Sequence, residues 1–178
     1  GTLTIKGERF KVSGESWMDH EFGTSFLEPT QRGWDWLSIQ LVDGRELMLF
    51  QLRKEDGSAD PHTAGTLVSA DGTTHPLNAD DFKLTPGDAR RTSPATHGSY
   101  PMTWQIEIPR EQMRLNVNAT FPEQEMTASS SPGLHYWEGV VSAQGDQSGK
   151  PLSGKGYLEM TGYGGAAMSR WFSPPGSK

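Results

Sequence analysis

The chain has 178 residues, 16 basic against 22 acidic, a net charge of −6 and no cysteine. One domain of this length buries a core without cross-links, and the lack of cysteine excludes disulfides, thiolate zinc sites and a cysteine nucleophile. The charges are spread along the chain with no basic run, which argues against a nucleic-acid surface, and no apolar stretch approaches the ~18 residues of a membrane span.

Glycine (21) and proline (12) are frequent, as in a chain of short strands and many turns. Gly1 opens straight into an alternating segment, so the sequence reads as a mature or excised piece. Thr2 to Lys6 and Arg9 to Ser13 alternate on either side of Gly7-Glu8, and Ser16 to Phe22 follows Gly14. Asp35 to Val42 and Arg45 to Arg53 flank Asp43-Gly44, a strong hairpin signal. Gly65 to Ala70 runs into Asp71-Gly72, with His75-Pro76-Leu77 beyond it, and Phe82 to Thr85 stops at Pro86-Gly87. Met102 to Ile108 and Met113 to Asn118 are strands around one helical turn, Pro109 to Met113. Leu134 to Ala143 and Gly154 to Thr161 bracket a polar loop, Gln144 to Ser153. About ten strands at this spacing predict an antiparallel barrel or sandwich. Residues 1–163 form that domain, and residues 164–178 are a tail packed outside it.

A two-residue turn at Asp43-Gly44 pairs Gln40 with Leu47, Ile39 with Met48 and Leu37 with Phe50. One face then carries Leu37, Ile39, Leu41, Met48, Phe50 and Leu52, as a lumen or core. The other carries Trp36, Ser38, Gln40, Leu47, Leu49 and Gln51, which is too apolar for a solvent face. Something covers it: the chain's own tail, a second copy or another domain, of which a domain is preferred.

The densest chemistry is at Trp17-Met18-Asp19-His20-Glu21. Asp19 and Glu21 share a strand face with Trp17, and His20 lies opposite. They are candidate catalytic groups, because His20 titrates near neutral pH and an acid beside an apolar cavity can protonate an alkene. The alternative is a structural network of carboxylates bonded to Trp34, Trp36 or Arg53. The spacing does not suit a metal, and no cofactor is expected. Glu138 and Glu159 sit inside strands, as lumen groups or as outward partners of cations. No Gly-x-Ser-x-Gly elbow occurs.

The segments Trp17-Met18-Asp19-His20-Glu21, Gly33-Trp34-Asp35-Trp36, Asp43-Gly44-Arg45-Glu46-Leu47-Met48, Tyr136-Trp137-Glu138-Gly139 and Gly154 to Tyr163 occur in this order. Together they resemble the lipocalin-like family that contains AttH proteins and carotenoid 1,2-hydratases. The resemblance implies an all-β, antiparallel lipocalin-like β-barrel of about eight to ten strands. It implies that this is the C-terminal one of two such barrels, and a periplasmic or secreted location. Its hydratase branch adds water to a terminal double bond of acyclic carotenoids. His20 matches that branch by position. The second aromatic of its His-x-Trp pattern is Phe22 here, and Leu47 to Leu52 holds no acid.

The expected function is binding of an elongated apolar ligand, such as a lipid, isoprenoid or carotenoid, in the barrel or at its junction with a second barrel. Trp17, Trp36, Met48, Phe50, Trp104 and Trp137 would give apolar contact, and Gln40 with His20 and Asp19 would orient a polar end. The expected partners are that hydrophobic small molecule and a second lipocalin-like domain, in cis or as a homodimer mate. The alternatives are a hydratase or cyclase acting on a polyene through an acid near His20, or a structural half of a two-barrel protein whose site lies elsewhere.

Overall fold

The structure, a computed structural model, describes residues 1–18, 27–127 and 135–164. They contain fourteen β-strands, one short 3-10 turn and no α-helix. A hairpin of β1 (Thr2–Ile5) and β2 (Glu8–Lys11) stands apart. The main sheet uses β3 (Gln31–Leu41), β4 (Glu46–Lys54), β5 (Ala64–Val68), β6 (Thr74–Asn78), β7 (Lys83–Pro86), β10 (Thr103–Ile108), β11 (Met113–Ala119), β12 (Glu125–Thr127), β13 (His135–Gln147) and β14 (Lys150–Thr161). A third sheet pairs β8 (Arg90–Thr92) with β9 (Ser99–Pro101). The main sheet is antiparallel throughout, in the order β6-β5-β4-β3-β14-β13-β11-β10-β7, with β12 added beside β13.

That sheet curls into a half-barrel whose seam lies between its end strands, β6 and β7. Leu77 of β6 and Leu84 of β7 belong to one core cluster, so side chains fill the space across the seam. After β10, Arg110 donates to the Pro76 carbonyl of β6 at 3.0 Å and faces Asp81 at 3.4 Å, a polar clasp on the outside. The 3-10 turn, Pro109–Glu111, lies where the sequence places its helical turn.

Buried apolar side chains from the described strands line the interior. Leu37, Ile39, Leu47, Leu49, Ile106, Val117, Trp137 and Leu158 have no measurable exposure. Each such residue contributes about 1.5–3 kcal/mol by leaving water, so the strand pairing that turns them inward is the main determinant of this fold.

That pairing departs from the sequence expectation at the β3–β4 hairpin. Trp36 pairs with Phe50, Leu37 with Leu49, Ser38 with Met48 and Ile39 with Leu47. The connection holds three residues, not two: Leu41 bonds Arg45, the Gly44 N–H returns to the Leu41 carbonyl at 3.0 Å, and Gly44 takes a left-handed φ of 86°. Asp-Gly suits this loop as well as the two-residue turn. The one-residue difference exchanges the faces of β4: Leu47 and Leu49 point inward, and Met48 and Phe50 point outward beside Trp36, Ser38 and Gln40. Asp71-Gly72 closes β5 to β6 in the same way, with Gly72 at φ 85°.

The expected loop from Gln144 to Ser153 is also corrected. Strands β13 and β14 continue through it to a tight turn at Ser148-Gly149, both left-handed. Their polar composition reflects exposure, not irregularity. Along β14, Gly156 lies so close to β3 that a Cβ there would come within 1.9 Å of the Ser38 carbonyl oxygen. Gly156→Ala should therefore cost more than about 3 kcal/mol. Gly72→Ala, with nothing within 4 Å of the new Cβ, should cost only the left-handed strain of about 1–2 kcal/mol. Urea denaturation of the two variants checks the contrast.

Candidate functional site

Strand β3 separates two chemistries. Its odd-numbered residues face the interior and its even-numbered residues the outside, by the alternation of a strand. On the outside, Trp36, Ser38 and Gln40 stand beside Lys155 and Tyr157 of β14 and Glu138 and Val140 of β13. The chain's own residues 14–17 lie over this face, with the Trp17 ring meeting Trp36 edge-on at 6.1 Å between centroids. Trp36 is 6% exposed and Ser38 3%, although both point away from the core. The cover required by the apolar second face is thus supplied in part by this N-terminal segment.

Between segment and sheet runs a groove of about 570 Å³. Trp17, Trp36 and Tyr157 form its aromatic walls, and Ser38, Gln40 and Lys155 supply polar groups. Glu15 and Glu138 also line it, and Glu138 lies directly opposite Glu159 across β13 and β14. The Trp34 indole N–H donates to Glu159 at 3.2 Å. Burial raises the Tyr136 and Tyr157 hydroxyls, and the charges of Glu138 and Glu159 raise them further.

The inner side of β3 begins with a buried ion pair. Asp35 is fully buried, and the Arg53 Nε donates to its Oδ2 at 2.7 Å. Arg53 also donates to the Thr161 carbonyl, and its guanidinium lies 4.1 Å from the centre of the Tyr163 ring. Asp35 Oδ1 has no hydrogen-bond partner among the described residues. Burial pushes the Asp35 carboxyl up to about 6, against the pull of Arg53 and Tyr163. Burial and the Asp35 charge raise the Tyr163 hydroxyl in turn. Nearby, Tyr100 packs on Tyr163 at 5.5 Å and donates to Glu125 at 2.9 Å, which also accepts the Ser93 and Thr96 hydroxyls.

Five of the seven expected ligand contacts share the outer face: Trp17, Trp36 and Gln40 at the groove, Met48 and Phe50 on the adjoining strand. Phe50 lies 6.4 Å from Trp34. Trp104 and Trp137 are elsewhere, inside the core at 1% and 0% exposure, and Trp137 donates to the Pro122 carbonyl at 2.9 Å. Asp19, His20 and Glu21 lie outside the described residues. Among the described residues no group of His, Cys, Asp and Glu is placed to hold a metal ion, and no helix is long and apolar enough to cross a membrane. Sequence reasoning passed over Tyr157 and Lys155 at the groove, and Asp35 in the core. Alternation alone would have placed Asp35 beside Leu37 and Ile39, as a buried carboxylate needing a cation.

Fold and site define a lipocalin-like half-barrel with its groove on the outer wall. The AttH-like family model matches residues 1–163, and the chain belongs to that family. A crystal structure described as AttH from Nitrosomonas europaea superposes with a TM-score of 0.79 at 32% identity, over 92% of this chain and 49% of that one. Kievitone hydratase from Nectria haematococca shares the fold at a TM-score of 0.66 and 16% identity, over 90% of this chain and 48% of its own. The chain therefore spans about half the length of these structures. Comparison of the sequence with curated proteins finds no match.

A buried carboxyl with a raised pKa stabilises the fold when protonated. Its contribution is full below the ordinary pKa of 3.8 and is lost as pH rises through about 6. Relative to Asp35→Asn, the wild-type chain should gain about 2 kcal/mol between pH 7.5 and pH 4. Urea unfolding of both proteins across that range checks the sign; a difference that is flat, or that grows with rising pH, contradicts it.

Proposed function

We propose that this domain binds an elongated apolar small molecule, of the lipid, isoprenoid or carotenoid class, in the groove between residues 14–17 and the outer face of β3 and β14. The observation that carries the reading is the groove itself. Its volume of about 570 Å³ lies within the ~300–1,000 Å³ of typical small-molecule sites, and it has their composition of aromatic walls with a few polar groups. Trp17, Trp36 and Tyr157 supply apolar surface, while Ser38, Gln40 and Lys155 meet a polar end. Among the described residues, buried apolar side chains line the barrel interior, which favours the outer wall as the place for a ligand of this size. A second lipocalin-like unit lying against this wall would shield the open side of the groove, and the double length of both solved relatives leaves room for one.

Titration with farnesol, oleate and retinol, followed by tryptophan emission, tests the reading. Saturable quenching by at least one probe is expected, with Trp36→Ala and Tyr157→Ala each weakening it about tenfold, or about 1.4 kcal/mol. No quenching by any probe, or equal affinity in both variants, contradicts it.

A further inference from the structure

The groove on the outer wall has a direction. It follows β3 through Trp36, Ser38 and Gln40, and strand pairing extends each of these into a row across the sheet. In the first row Trp36 lies opposite Glu159, which lies opposite Glu138. In the second Ser38 lies opposite Tyr157, which lies opposite Val140. In the third Gln40 lies opposite Lys155. Glu138 therefore stands at one end of the groove and Lys155 at the other, a span of about 13 Å along the strands. The middle is apolar: the Tyr157 ring and Val140, 42% exposed, line it.

An elongated molecule lying along β3 meets a cation at one end and a carboxylate at the other. Lys155 offers N–H donors and no acceptor, so its best partner is an anion. Gln40 beside it can add an amide N–H to the same anion. Glu138 accepts only, so its partner is a donor. An ionised carboxylate has about four acceptor positions, so Glu138 takes a donor from a ligand in addition to the interaction it makes within the protein. A plain fatty acid fits less well. Glu15 and Glu138 line the groove against the one cation, Lys155, and a methyl end would desolvate Glu138 with no hydrogen bond in return.

We propose that the ligand of this groove is a long-chain hydroxy acid, with its carboxylate on Lys155 and Gln40 and its hydroxyl donating to Glu138. The inference rests on the groove being the ligand site, and adds what the two ends of the ligand carry. A hydroxyl about ten to twelve carbons along an extended chain from the carboxylate spans the distance between the two rows. The apolar chain between them lies on Tyr157 and Val140.

Titration of tryptophan emission with 12-hydroxydodecanoate, dodecanoate and 1-dodecanol, at about pH 7.5 where the acids are ionised, tests the proposal. The hydroxy acid should bind at least about tenfold more tightly than either single-ended probe, the effect of one hydrogen bond to a charged group. Glu138→Ala should erase its advantage over dodecanoate, and Lys155→Met its advantage over dodecanol. Both residues lie on the outer wall, so both variants should keep the wild-type melting temperature to within a few degrees. The comparison of probes on the wild type stands by itself if a variant melts early. Equal affinity for the three probes, tighter binding of a single-ended probe, or an advantage that survives its variant overturns the proposal and leaves the apolar site in place. Binding of none of the three overturns the proposal and the site together.

Discussion

The register of β3 against its two neighbours is the constraint on which the rest of this molecule depends. Ile39 faces Leu47 on one side and Gly156 on the other, so Leu37 and Ile39 enter the core with Leu47, Leu49 and Leu158. A shift of one residue would place Trp36, Ser38 and Gln40 inside and expose three aliphatic side chains. Two local features hold the register. The three-residue loop through Gly44 sets it on the β4 side, and the close approach at Gly156 sets it on the β14 side. The same register sets the even-numbered residues of β3 on the outer wall, where Trp36 meets Trp17.

The same strand bears a cost at its beginning. Asp35 enters the core on the face of Leu37 and Ile39, and taking a carboxylate out of water is unfavourable even with Arg53 at 2.7 Å. The rise of its pKa to about 6 expresses that cost. The pair ties β3 to β4, and the further bond from Arg53 to the Thr161 carbonyl ties both to the end of β14. Three strands that a purely apolar core would let slide are thereby pinned where the groove begins on the other face. The interior thus sets the geometry of the outer wall.

Much of this was legible in the sequence. Alternation, turn residues and the Trp- and Gly-rich segments specify an all-β lipocalin-like chain, and the apolar second face of β3 does call for a cover. Trp17, Trp36 and Gln40 were identifiable as neighbours of one site. The side of β4 was not, because Asp43-Gly44 is compatible with two loop lengths and both put apolar residues on each face of the strand. Strand composition then cannot decide between Met48 with Phe50 and Leu47 with Leu49. Trp104 and Trp137 look like ligand contacts in sequence because an indole suits a cavity wall and a packed core equally well. Tyr157 and Lys155 become visible only when β14 is laid against β3, a pairing more than 100 residues apart in the chain.

The proposal that ligand binds outside the barrel is tested most directly through the indole N–H resonances. The six tryptophans give separate signals in a proton–nitrogen correlation spectrum, assigned by single substitutions. On titration with an apolar probe such as farnesol, the Trp17 and Trp36 signals should shift and saturate together, with Trp104 and Trp137 unmoved. Shifts confined to Trp104 and Trp137 would place the ligand in the interior and contradict the outer-face site.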